Sequence, residues 1–298
     1  MIYKASIVHT KKAKQRWGIA FALPACILVL SLMIIPIFVV FAFSFTSWDG
    51  IKEIRFIGID NFVKILTTGE FWNIIKNNII FMFIGAPIWT ITPLIVAVLL
   101  YEEIRGFRIF RTIFLLPSVL AASVIGIIFV SFFGLDGPFN QILRAIGLDF
   151  MALYWFGSAK TAIPMIINMI NWAGFGTTAL IYIAGMSSID TSVYESAYID
   201  GAKWWTRFFK ITLPMIYNVI SFVFILNIIA SFTSLFNYIF VTTRGGPGYE
   251  TTVIEYLIYL KGFTTHEFGY ACALSAVMFV IVFAISIAVL ALSRRKKA

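Results

Sequence analysis

Six stretches of this chain each run for 22 residues or more without an Asp, Glu, Lys, Arg or His: Trp17–Phe45, Ile79–Tyr101, Thr112–Phe133, Thr161–Ala184, Met215–Val241 and Phe268–Leu292. A helix needs roughly 20 residues, at about 1.5 Å each, to cross the hydrocarbon of a bilayer. The runs are too long and too unalternating for barrel strands, and helices are the other spanning form that satisfies its own backbone. An all-α integral membrane protein with six transmembrane helices is therefore predicted. Prolines at 24, 36, 87, 93, 117 and 164 lie inside the runs, so kinks are expected there.

Composition agrees. The chain is 60% hydrophobic and 12% charged, with mean hydropathy +0.93, whereas soluble domains carry about 25% charged residues. The net charge of +9 does not indicate nucleic acid, because no soluble basic face is available; lipid is the expected surround. Cys26 and Cys272 lie in apolar runs without metal-ligand or pairing spacing, so a packing role is expected and no metal site. "LPAC" at Leu23–Cys26 loosely resembles a lipoprotein cleavage site. The apolar run continues well past it, so the segment is expected to be a retained span.

The basic residues orient the spans. Fifteen of the 23 Lys and Arg fall in the N-terminal tail, at Arg105, Arg108 and Arg111, in the Lys203–Lys210 segment and in the C-terminal tail. Cytoplasmic loops carry such an excess, so both termini and the Tyr194–Pro214 segment are expected in the cytoplasm. Expected boundaries are 1–72 for the tail, first span and first external loop, 73–292 for a core with a cytoplasmic loop at 187–214, and 293–298 for a basic tail.

The energy source follows from what the windows lack. Proton- and voltage-driven carriers place ionisable groups within the membrane, and here the windows contain none. The two histidines, His9 and His266, fall on opposite sides, so no catalytic cluster is expected. None of the 20 glycines precedes a lysine, which excludes a P-loop. An uphill transporter of this kind must borrow its energy; a facilitator or a sodium-coupled carrier is the alternative.

The cytoplasmic segment "SVYESAYIDGAKWWTRFFKITLP" is patterned as structure. Ser192 and Glu195 fit a capping box, and Asp190 adds negative charge at the same helix start. Tyr194, Ala197, Tyr198 and Gly201 fall at i, i+3, i+4 and i+7, which predicts one face of a short helix. Gly201 is expected to end it in a left-handed turn or to admit another backbone. Trp204, Trp205, Phe208 and Phe209, mixed with Lys203, Arg207 and Lys210, suit a segment in the headgroup layer.

Glu195-Ser196-Ala197, then Gly201, then Ile211-x-Leu213-Pro214 resembles the E-A-A-x3-G-x9-I-x-L-P motif of permease subunits in binding-protein-dependent ABC importers, with Ser196 at an alanine position. "PIFVVFAFSFTSW", "FIGIDNFVKIL", "FRTIFLLPSV", "YIDGAKWW" and "TRGGPGYET" are similar to recurrent stretches of the maltose, glycerol-3-phosphate and multiple-sugar branch. The resemblance implies that Tyr194, Glu195, Ser196, Ala197, Asp200, Gly201, Ala202, Leu213 and Pro214 form a coupling helix and its flank, seated in a cytoplasmic ATPase subunit. It implies two ATP-binding subunits, a second homologous permease and an extracytoplasmic solute-binding protein, in the cytoplasmic membrane of a prokaryote. It implies no cofactor and no catalysis in this chain, with ATP and Mg2+ held by the ATPases.

Polar residues of the fourth and fifth spans either line a solute path or join helices by hydrogen bonds. The resemblance implies solute contacts at a W-x-G stretch, Trp172 and Gly174 here, where Ile170 stands at an asparagine position beside Asn171. It also implies a contact at Ser231. Thr177 and Ser234 are further path candidates. Gly245, Gly246 and Pro247 read as a turn, or as an external element that meets the binding protein or closes a gate. The expected cargo is a carbohydrate, an oligosaccharide; a polyol or glycerol phosphate is the alternative.

Overall fold

The computed structural model describes residues 17–101 and 107–295. The basic residues of the N-terminal tail, Arg105, Lys296 and Lys297 lie outside the described residues. Among the described residues the fold is helical, with one isolated bridge between Thr46 and Phe56.

Among the described residues four helices are apolar and long enough to cross a bilayer unbroken: Trp17–Phe43, Gly69–Tyr101, Ala159–Met186 and Phe268–Val289. Two further spans are bent pairs, Thr112–Val119 with Ala122–Phe132 at 105° and Trp204–Met215 with Tyr217–Thr233 at 68°. Six spans result when each pair counts once. The third window is thus not a continuous helix: Leu120 and Ala121 are extended after Pro117, since a helix cannot continue through residues in that conformation. The second helix begins ten residues before the expected window and carries Glu70, Lys76, Asn77 and Asn78.

Proline acts through a recurring device. Pro36, Pro87 and Pro214 each stand two residues after a π-helical turn, at Leu30–Ile34, Phe81–Gly85 and Phe208–Thr212. The wider turn leaves room for a ring that has no N–H to donate and would strike the preceding carbonyl. Pro93 and Pro164 lie inside unbroken helices.

The described residues divide into two compact units, one from the stretches up to 64 and 261–277 and the other from 65–260 and 278 onward. In the first, the Asn61 carboxamide donates to the carbonyls of Ser44 and Thr46, each at 2.9 Å. Lys64 and Lys261 pair with Glu267. A Cβ at Gly269 would run into the Thr46 carbonyl, so that close approach requires glycine. The first span buries none of its apolar window.

In the second unit the core lies among spans two to five. One cluster gathers Phe81, Trp89, Ile125, Ile166, Met169 and Ile239; another gathers Leu94, Ala97, Tyr182, Met186, Ile216 and Val223. A Cβ at Gly176 would meet the Phe114 carbonyl and the Leu115 backbone, so the fourth span rests directly on the broken third one. Polar bonds cross the same helices: Trp89 Nε1 donates to the Ile167 carbonyl at 2.9 Å and the Tyr182 hydroxyl to the Thr90 carbonyl at 3.1 Å.

Candidate functional site

The segment after the fourth span folds as the helix Thr191–Ile199. Its N-cap is Asp190, whose carboxylate accepts from the Ser192 amide at 2.9 Å. That bond holds the Asp190 carboxyl below its ordinary value. The expected capping box is therefore displaced. Ser192 is already helical, and its carbonyl accepts from the Ser196 hydroxyl at 2.8 Å. Asp190 takes the cap because it is the last residue in extended backbone before the helix, where its carboxylate can meet the amide two residues on.

The other end is a Schellman turn. The Ala202 amide donates to the Ala197 carbonyl at 2.9 Å and the Gly201 amide to the Tyr198 carbonyl at 3.0 Å, with Asp200 as C-cap. Gly201 has φ +73°, and nothing lies within 4 Å of where its Cβ would be. Within the chain, the left-handed backbone is what calls for glycine.

The proposed single face divides. Tyr194 and Ala197 turn inward, while Tyr198 and Ile199 stand 74% and 85% exposed. The Tyr194 hydroxyl lies 3.1 Å from the Thr212 hydroxyl, on the π turn that leads into the fifth span. Trp204 stacks on Phe208 at 5.4 Å, and the Arg207 guanidinium sits 5.9 Å from the centre of the Tyr198 ring. Leu213 is half-buried, and Glu195 and Pro214 are exposed. Beneath the helix is an open cavity of about 1020 Å³, walled by Tyr101, Met186, Tyr194, Glu195, Trp204 and Phe208.

Deeper in the bundle, a cavity of about 80 Å³ is lined by Trp89, Asn171, Gly174, Thr178, Asn227 and Ser234, among others. The Thr92 hydroxyl donates to Asn171 Oδ1 at 2.7 Å, and Asn227 Nδ2 donates to the Thr90 hydroxyl at 3.0 Å. Asn171, Gly174 and Ser234 thus come together. Trp172 instead lies 5.6 Å from the Phe129 ring, Thr177 lies outside the lining, and Ser231 is fully buried, its hydroxyl donating to the Ile228 carbonyl at 2.6 Å. Trp89, Ile170, Thr178, Asn227, Ala230 and Leu235 complete the lining. Asn227 was legible as a polar residue in an apolar run, whereas Trp89 carried no sequence signal.

Gly245, Gly246 and Pro247 form a tight turn. Gly245 has φ +80°, and a Cβ there would strike Thr252 Oγ1 and the Tyr256 ring. The Thr252 hydroxyl donates to the Gly245 carbonyl at 3.1 Å and the Thr251 hydroxyl to the Gly246 carbonyl at 3.0 Å.

Residues 93–298 match the family described as the binding-protein-dependent transport system inner membrane component. The chain belongs to this family. It is 33% identical over 285 residues to the lactose transport system permease protein LacF of Rhizobium radiobacter, covering 94% of this chain and 95% of the relative. It is 30% identical over 286 residues to the multiple sugar-binding transport system permease protein MsmF of Streptococcus mutans, covering 96% and 98%. A solved bacterial alginate ABC transporter, in complex with an alginate pentasaccharide-bound periplasmic protein, contains a chain 27% identical with TM-score 0.84, covering 96% of both. The family, the six spans and the Thr191–Ile199 helix make this a multi-pass membrane permease.

Proposed function

We propose that this chain is the permease subunit of an ATP-driven importer and forms half of the translocation pathway for an oligosaccharide. The observation that carries the reading is the Thr191–Ile199 helix. It is capped at both ends and tied to the root of the fifth span through Tyr194 and Thr212, yet it leaves Tyr198 and Ile199 uncovered. Large apolar side chains on a rigid exposed helix suit a protein partner. In this reading the partner is an ATPase, and its displacement on ATP binding moves the fifth span through the Tyr194–Thr212 contact.

The positive excess on the coupling side supports a cytoplasmic location for that helix and both termini. The partners are a second permease, two ATP-binding subunits that hold ATP and Mg2+, and an external solute-binding protein. This chain performs no chemistry itself. Support for a sugar cargo comes from the relatives' names and from the amides, hydroxyl and indole at the inner cavity, which suit a hydroxyl-rich solute. The division at 72 and 293 marks the core that would pair with the second permease.

Reconstitution of the four membrane-associated subunits with binding protein in liposomes tests this. Labelled neutral oligosaccharides are expected inside only with ATP present. Equilibration of sugar by this chain alone, without ATP, would make it a facilitator instead.

A further inference from the structure

The fifth span does not end at Thr233. Ser234 leaves the helix at φ −139°, and the chain resumes as the helix Phe236–Thr242. This break exposes two amides at the end of the span remote from the coupling helix. Both are taken by one carboxylate: Glu255 Oε2 accepts from Leu235 N at 2.7 Å and from Phe236 N at 3.0 Å. Glu255 belongs to the helix Ile254–Tyr259, in the connection between the fifth and sixth spans.

That helix is itself fastened. The buried Asn78 carboxamide accepts from the Ile254 amide at 3.0 Å and donates to the Ser231 carbonyl at 2.8 Å. Asn77 Nδ2 donates to the Thr252 carbonyl at 2.9 Å. Two asparagines and one glutamate therefore tie the second span, the upper fifth span and the connecting helix together. Ser234 and Leu235, whose position Glu255 sets, form part of the inner cavity wall.

We infer that Glu255 is a positioning residue for an external gate: its bonds to Leu235 and Phe236 hold the break closed over the inner cavity, and their release accompanies opening towards the far side. This rests on the permease reading. The position fits the task, because a helix break can swing if its orphan amides exchange one partner for water.

Charge on the carboxylate controls the hold. Burial pushes the Glu255 carboxyl up to about 7, against the pull of the two amides. The titratable groups on its own helix are Tyr256 and Tyr259; those on the packed elements and loop are Glu70, Lys76, Tyr217, Tyr238, Arg244, Tyr249 and Glu250. Burial and the Leu235 and Phe236 amides are what act on its carboxyl. In the opened state water would return the carboxyl towards its ordinary 4.5. The closed state then binds the proton more tightly, so rising pH between about 4.5 and 7 favours opening.

The test uses the full chain in cells, with Cys26 and Cys272 replaced by Ala and Ser234→Cys as reporter, labelled by an external membrane-impermeant methanethiosulfonate. Labelling of Asp136→Cys, whose side chain is 90% exposed, establishes that this end faces out. Glu255→Ala is expected to speed Ser234→Cys labelling about tenfold. Glu255→Gln keeps an acceptor but cannot ionise. The ratio of the parent rate to the Glu255→Gln rate, which cancels the reporter thiol's own ionisation, is expected to rise about thirtyfold from pH 5.5 to 8. An unchanged rate in Glu255→Ala, or a flat ratio in Glu255→Gln, overturns the proposal; if the alanine variant does not insert, the ratio decides alone. ATPase co-purification, measured on the parent, tests the permease reading separately.

Discussion

Tyr194 and Thr212 meet hydroxyl to hydroxyl at 3.1 Å across 18 positions of sequence, joining the helix below the fourth span to the root of the fifth. Thr212 is buried and Tyr194 half-buried, so the bond is sheltered from competing water. A displacement of the short helix has a direct route into a spanning helix.

Removing that hydroxyl leaves the packing intact. Tyr194→Phe is expected to lower thermal stability by about 1 kcal/mol, the usual net worth of one such bond. ATPase co-purification should be retained while ATP-driven uptake falls several-fold. Equal loss of co-purification and uptake would show that Tyr194 serves assembly and not transmission.

At Gly201 the backbone and the space around it make separate demands. The left-handed conformation at φ +73° costs a residue with a side chain about 1–2 kcal/mol, and asparagine less. Gly201→Asn is expected to insert and bind the ATPase nearly as the parent does. Gly201→Trp should insert normally but lose the ATPase on purification, because the open space beside Gly201 is where the partner would sit. Undiminished co-purification of the tryptophan variant would count against docking there.

Asp190 is a cap whose charge is secured at physiological pH. Its carboxyl is held below the ordinary 3.8 by the Ser192 amide, so its contribution is present above that value and lost only as pH falls below it. Amide exchange at Ser192 should therefore be constant from pH 5 to 8 after correction for intrinsic rates. Asp190→Ala should raise it, and Asp190→Ser should restore protection.

Asn78 is fully buried and bonded at both ends of its carboxamide. Asn78→Leu would leave the Ile254 amide and the Ser231 carbonyl without that partner, at about 1–3 kcal/mol for each buried group. A fall of several degrees in the detergent-solubilised melting midpoint is expected, with Asn78→Asp intermediate because it still accepts.

The spans were legible because an uncharged run of this length has few other stable homes, and the coupling segment because caps, turns and spacing are local. Where legibility failed, a distant partner decided. The break at Ser234 lies within an unbroken apolar run and was invisible there; it is stable because Glu255, some twenty residues on, supplies acceptors for Leu235 and Phe236. Asn77 and Asn78 fell just outside the expected second window because they are polar, and it is their bonds to Thr252, Ser231 and Ile254 that bury them. Trp172 lies 5.6 Å from the Phe129 ring, a neighbour that only the meeting of the third and fourth spans supplies.

Hydrophobicity is a property of each residue, so the sequence by itself determined that the chain crosses a membrane six times. It also determined that a capped helix interrupts it after the fourth crossing, since caps and turns act over a few residues. Only the tertiary structure decided where spans bend, which polar groups face a cavity and which are spent joining helices. In an apolar interior a buried polar atom goes where a partner is found, and the partners here lie up to 176 residues away.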